Sequence, residues 1–266
     1  MITKTFGGIF MPTSRETIKY ENHFLSNVIC RVDFESDISN EKISQLAMST
    51  EITQYFSIRG KDTVEEGTNF NVVQKPGANP QIFQERVSFV RKEFINSLGK
   101  NKCSISPKFL ILEYGAYVSF EELKNHFMQI IQKIKDLSGD IQISRFGLRY
   151  INTFNVDNIR IFKSYFANEI SGFVSLSAPS NTLLSRAMGK IEYINSDVRL
   201  NMNFGEFNRN YPGAIQKHDF VLDYDAFIQG NYKLSDAFPQ KLDISHNMIQ
   251  DVFENSITDK LRELMK

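Results

Sequence analysis

Ile143-Ser144-Arg145-Phe146-Gly147-Leu148-Arg149-Tyr150-Ile151-Asn152-Thr153-Phe154 alternates between two chemistries. Successive side chains of an extended chain point to opposite sides. Phe146, Leu148 and Tyr150 therefore share one face, and Arg145, Gly147 and Arg149 share the other. A strand with one apolar and one polar face belongs to a sheet covered on one side only, as antiparallel sheets commonly are. The expected fold is α+β: a mostly antiparallel sheet with helices packed on one face and a long C-terminal helix.

The same alternation recurs outward from this segment. Val28, Cys30, Val32 and Phe34 line one face of a strand over 28–34. Residues 84–95 and 101–115 read as two strands joined around Gly99-Lys100. A hairpin over 191–207, turning at Asn195-Ser196, buries Val198, Leu200, Met202 and Phe204, and a further strand follows over 218–227 after Pro212-Gly213. Charge, Gly, Asn and Pro over 60–80 predict a long loop or an irregular hairpin.

Helices are marked by their starts. Ser119, with Glu122 three residues on, forms a capping box, and Val118 and Leu123 are spaced for a hydrophobic staple. Leu123, Phe127, Ile130, Ile131, Ile134 and Leu137 then make one stripe that Gly139 ends. Ser39 caps a helix over 40–52 carrying Ile43, Leu46, Ala47 and Thr50, which gives a strand–helix pair echoed by 109–115 with 119–137. A helix is predicted near 159–168 and a Ser/Pro-rich loop at 177–180. At the end, Ile249, Phe253, Ile257, Leu261 and Leu264 fall in one sector of a helix capped at Asp243 or Ser245. The whole reads as a single domain over 23–266 behind a loosely attached leader, 1–22.

Composition narrows the function classes. Lys plus Arg equals Asp plus Glu at 31 each, so bulk electrostatic tracking of nucleic acid is not indicated. A formal charge of zero leaves little colloidal repulsion, which fits a protein partner or a homo-oligomer. Cys30 and Cys103 fit no ligand spacing and read as reduced thiols of a cytoplasmic protein. Met1 to Arg15 lacks a secretory pattern, and no window has the apolar length of a membrane helix. The patterns GxSxG, GxxxxGK[ST] and HExxH are missing, so no cofactor is named.

Arg145 to Asn152 resembles the most recognisable segment of a sporadically distributed family of uncharacterised bacterial and archaeal proteins of about 250 residues, with an RxGLRYIN-type strand. Tyr20 to Phe34 is similar to the family's opening strand, and Leu242 to His246, with Phe253 and Ile257-Thr258, to its terminal segment. The likeness spans nearly the whole chain. Members commonly carry a Pro pair before the first strand, where this chain has Asn22-His23-Phe24. The resemblance brings no activity with it. Its patchy distribution implies mobile genomic islands, where toxin–antitoxin and antiviral defence genes accumulate.

Two polar faces are candidate sites. Asp219, Asp223 and Asp225 share one side of their strand, and three carboxylates there suit Mg²⁺ or Mn²⁺ in a metal-dependent nuclease or phosphodiesterase. A solvated face is the plainer alternative. Arg145 and Arg149 flank Gly147, and with Arg31, Arg199, Asn201 and Asn203 they offer guanidinium forks to a small anionic ligand. Cross-strand pairing with the three aspartates is the competing account. His246 shares the apolar sector of its helix, which makes it a neutral core histidine rather than a base. His126 and His23 have no evident partner, and Cys30 is an inert core thiol. The expected function is a non-catalytic binding or regulatory component of such a bacterial module, acting through a protein partner; the nuclease and the anion sensor are the alternatives.

Overall fold

A computed structural model describes residues 19–73, 81–155, 163–173, 182, 184–217 and 219–266. Ten strands form the sheet: β1 (Leu25–Phe34), β2 (Ile58–Arg59), β3 (Thr63–Val73), β4 (Gln81–Ile95), β5 (Asn101–Ile105), β6 (Phe109–Tyr114), β7 (Gln142–Asn155), β8 (Ala187–Asn195), β9 (Val198–Phe207) and β10 (Asp219–Lys233). Their order is β2-β4-β5-β6-β1-β7-β10-β9-β8, with β3 on β4 beside that path. Every ladder is antiparallel. The helices are α1 (Asn40–Ala47), α2 (Thr50–Thr53), α3 (Phe120–Ser138), α4 (Asn168–Phe173), α5 (Leu234–Ala237), α6 (Gln240–Ser256) and α7 (Asp259–Met265). The fold is α+β, with a long bent C-terminal helix in the two parts α6 and α7.

Alternation decides which face the helices cover. Val28, Cys30 and Val32 of β1, Phe146 and Leu148 of β7, and Leu222, Tyr224 and Ala226 of β10 enter one continuous core with Phe127, Ile130 and Ile134 of α3 and Leu242 and Ile249 of α6. Phe127 meets Phe146 at 6.0 Å and Phe238 at 5.0 Å, while Phe146 meets Phe238 edge-on at 4.8 Å. The strand–helix echo becomes a spatial pair: β1 and β6 are neighbours, and α1 packs on α3. The opposite face of the sheet carries the charged side chains.

Several expected boundaries move, each for a local reason. The stretch 101–115 is two strands, because Ser106 Oγ accepts from the N–H groups of Lys108 and Phe109 and turns the chain at Pro107. Of the two readings of 60–80, a long loop or an irregular hairpin, the structure shows the pairing of a hairpin in regular form: residues 63–73 form a ladder with 81–91, and 74–80 lie outside the described residues. The first helix stops at Met48 and resumes as α2. Only one 3₁₀ turn, Lys163–Tyr165, falls within 159–168, α4 begins at Asn168, and residues 159–162 and 177–180 lie outside the described residues.

The hairpin β8–β9 turns at Ser196-Asp197, one residue later than expected, with Ser196 at φ 58°. β10 runs on to Lys233, and His218 lies outside the described residues. Ser119 does accept from the N–H of Glu122 at 3.1 Å, but Val118 is 58% exposed and forms no staple. The last helix starts at Gln240, ahead of both expected caps. It breaks at Ile257, whose extended backbone bridges Phe166. Leu264 is consequently exposed and Phe253 half-buried, whereas Ile249, Ile257 and Leu261 are buried. Residues 1–18 lie outside the described residues, but the end of the expected leader is docked: Asn22 N–H donates to Met265 O at 3.0 Å.

Gly205 fixes how β8 meets β9. Its φ is 138°, and a Cβ there would stand 2.0 Å from Ala187 O. Gly205→Ala is expected to destabilise the fold by about 2 kcal/mol or more. Chemical denaturation measures this, and an unchanged midpoint would show that β8 can step away from β9 without loss.

Candidate functional site

Register puts every candidate of the polar face on one surface. Arg149 lies between Ile29 and Asp225, and Asp225 opposes Asn201. Gly147 lies between Arg31 and Phe227, and Phe227 opposes Arg199. Arg31 and Arg199 are thus three strand spacings apart, roughly 14 Å, and do not converge. Arg31 instead bonds Asp33 at 2.6 Å and lies over the Phe109 ring at 4.9 Å.

The aspartates have partners of their own. Arg149 grips Asp223 with two bonds, Nε to Oδ1 at 2.7 Å and Nη2 to Oδ2 at 2.8 Å, and Asn203 adds a third at 3.3 Å. Arg145 reaches Asp225 at 3.3 Å. Burial pushes the Asp225 carboxyl up, and Arg145 and Arg149 oppose that rise. Asp219 takes Arg209 at 2.7 Å and Asn155 at 3.0 Å. Among the described residues no three His, Cys, Asp or Glu side chains are grouped to hold a metal ion. The solvated-face alternative does not describe Asp219 and Asp223, which are buried. The space above Gly147 is taken by the Arg145 guanidinium, 3.0 Å from where a Cβ would stand, and so is not open to a ligand.

Sequence reasoning missed two cations of this face, Arg209 and Arg186. Arg186 lies over Phe207 and Tyr211 at 6.0 and 5.6 Å, and both arginines line a cleft of about 630 Å³ with Arg149 and Asp223. The internal pairing makes a directional test. Arg149→Ala leaves Asp223 buried with a single amide donor and is expected to cost about 1–3 kcal/mol. The double change with Asp223→Ala should cost less than the two single changes together, as urea unfolding of the cycle would record.

A second cavity lies on the helix-covered side. It holds about 310 Å³ between β7, β10, the start of α3, α6 and the segment 19–25. Tyr150, Tyr224 and Asn152 line it from the sheet, and Tyr117 and Phe120 from the approach to α3. His246 and Phe253 contribute from α6, and Tyr20 and Phe24 from the entering chain. A hydroxyl chain runs through it: Tyr117 Oη to Tyr150 Oη at 3.0 Å, then Tyr150 Oη to His246 Nδ1 at 3.2 Å. The imidazole stacks flat on Phe120 at 3.7 Å, and its Nε2 is buried with no hydrogen-bond partner. At the rim Tyr20 donates to Glu254 at 2.7 Å, and Arg262 holds the same carboxylate at 2.8 Å.

Burial decides the protonation here. It lowers His246 to about 4, helped by the Lys124 charge, so the ring is neutral at pH 7 as expected. Burial pushes the hydroxyls of Tyr117, Tyr150 and Tyr224 up, and with the Glu254 bond it does the same for Tyr20. Tyr117, Tyr150 and His246 can thus donate and accept hydrogen bonds as neutral groups.

His126 has a partner after all, Tyr114 Oη at 2.7 Å, and His23 faces Tyr117 O at 3.2 Å. Cys30 and Cys103 are buried free thiols pushed up by burial. Among the described residues no helix is long and apolar enough to cross a membrane. Comparison with family models, curated proteins and solved structures gives no match.

Proposed function

We propose that the protein is a non-catalytic binding component whose aromatic cavity receives a small, uncharged, largely flat ligand. The observation that carries this reading is the neutral polar set inside apolar walls: His246, Tyr117 and Tyr150 bonded in series within about 310 Å³. Apolar cavities with a few placed polar groups are the usual form of small-molecule sites. At the rim Glu254 is paired with Arg262, and Glu121 and Lys19 carry opposite charges, so the cavity offers no net charge to a ligand. The two arginines offered to an anion, Arg145 and Arg149, are engaged by Asp225 and Asp223.

The family resemblance adds support, since its three stretches meet at this cavity: Tyr20 and Phe24 from the first, Tyr150 and Asn152 from the second, His246 and Phe253 from the third. On that resemblance we assign the protein to a bacterial mobile-island module, of defence or toxin–antitoxin type, in which it reports its ligand to a protein partner. We place it in the cytoplasm, in keeping with two unpaired buried thiols.

Thermal shift with indole, adenosine and benzamide tests the cavity. At a hundredfold excess over Kd, a matching ring should raise Tm by about 5 °C. Tyr150→Phe should weaken that rise, and EDTA should leave it unchanged. A shift produced by AMP alone and lost in Arg149→Ala would move the site to the open sheet face.

A further inference from the structure

Among the described residues the sheet ends at β8, and no strand pairs with its outer edge. Lys190, Ile191, Glu192, Tyr193 and Ile194 are exposed in succession, with Ile194 at 68%. β8 pairs with β9 without interruption from Ala187↔Glu206 to Asn195↔Val198, contains no proline, and among the described residues has no strand on its outer side. Natural edge strands are commonly kept apart by charge of one sign, by proline or by bulges. Here the two charges of the strand are opposite in sign and two residues apart, so they lie on one face, 2.5 Å from each other within the chain.

We propose that β8 pairs antiparallel with β8 of a second copy, about a two-fold axis through Ile191. An axis normal to the sheet continues each face of one copy into the same face of the other, so opposed residues have equal parity and the axis must pass through a residue. Ile191 is the middle of the nine-residue strand, which gives full overlap. Centring there sets Lys190 opposite Glu192 of the second copy, and Glu192 opposite its Lys190. Met188 then opposes Ile194 on the same face. On the other face Gly189 opposes Tyr193, whose ring can cover both the glycine and Phe204, the side chain already lying over it. An axis at Lys190 or Glu192 would instead set like charges against each other. The strand is therefore complementary to itself in charge, in size and in length, and the occupant of the edge is a second copy of this chain. This inference does not rest on the cavity reading.

Cross-linking reads the register directly. Ile191→Cys would sit on the axis, facing its own copy at about 5 Å between Cβ atoms, whereas cysteines in Ile194→Cys would stand roughly 20 Å apart. Cys30 and Cys103 are both buried and should not interfere. Mild oxidation should give a reducible dimer in Ile191→Cys and none in Ile194→Cys. Light scattering at about 100 µM should give wild type twice the chain mass of 30.7 kDa. Lys190→Glu and Glu192→Lys should each weaken the dimer by about tenfold or more, and combining them should restore it, with the circular dichroism spectrum of the folded chain unchanged throughout. A wild-type monomer at that concentration, equal cross-linking at both positions, or a double variant no better than the single ones would each overturn the proposal.

Discussion

Removing residues 240–266 is expected to leave no soluble, cooperatively folding protein. The segment carries Leu242, Met248, Ile249, Ile257, Leu261 and Met265, all buried against the sheet or the turns beside it. Burying one such side chain contributes about 1.5–3 kcal/mol, so six contribute roughly 9–18 kcal/mol, as much as the whole stability of an ordinary domain, about 5–15 kcal/mol. Tyr20 and Asn22 would lose their anchors on Glu254 and Met265 as well. The bared surface would run across β7, β9 and β10, an apolar patch of the kind that drives aggregation. Expression of the truncated chain, with solubility and urea unfolding as readouts, decides the matter. A soluble product with a single sharp transition would make α6 and α7 an appendage.

The centre of the sheet was legible because β1, β7, β9 and β10 have a two-residue period with one wet face, and that period also assigns the buried side. What escaped was set by single local bonds that periodicity does not encode. The Ser106 hydroxyl turns the chain inside one apolar run. The Phe166 bridge breaks a helix whose stripe continues unaltered through Ile257. The hairpin arm of β3 and β4 lacked a clean alternation, and its pairing is set by the partner strand.

The polar face was legible as well, down to the pairing of Arg145 and Arg149 with aspartates, since cross-strand neighbours follow once strand order is known. Strand order was the missing quantity: Arg31 and Arg199 share the face but stand strands apart. The cavity could not be read at all. Tyr20, Tyr150 and His246 come from three distant segments, and a fold is needed to join them. One signal was available in retrospect. Tyr150 and Tyr224 stand where Phe would fill the core, and a buried hydroxyl calls for a partner.

Acid should destabilise the protein through His246 before most of its carboxylates matter. Burial holds the folded-state value near 4, below the ordinary 6.5, so the unfolded chain takes up the proton first. The stabilising contribution is complete above pH 6.5 and is lost as pH falls toward and through 4. The shift corresponds to about 3 kcal/mol. The charge of Lys124 of α3, itself paired with Asp243 of α6 at 2.5 Å, lowers the ring further, and the Tyr150 hydroxyl, bonded in turn to Tyr117, meets its Nδ1. His126, also lowered by burial, contributes in the same direction. Asp225, raised by burial, contributes in the opposite one. Asp140 and Asp197 are held below their ordinary 3.8, so their contributions fade only at lower pH. Unfolding free energy measured from pH 7 to pH 4 should therefore fall in wild type and fall much less in His246→Gln, which keeps a polar side chain without a titrating one. If the two profiles run parallel, the imidazole is not held neutral by burial, and the cavity does not have the uncharged character that defines its ligand.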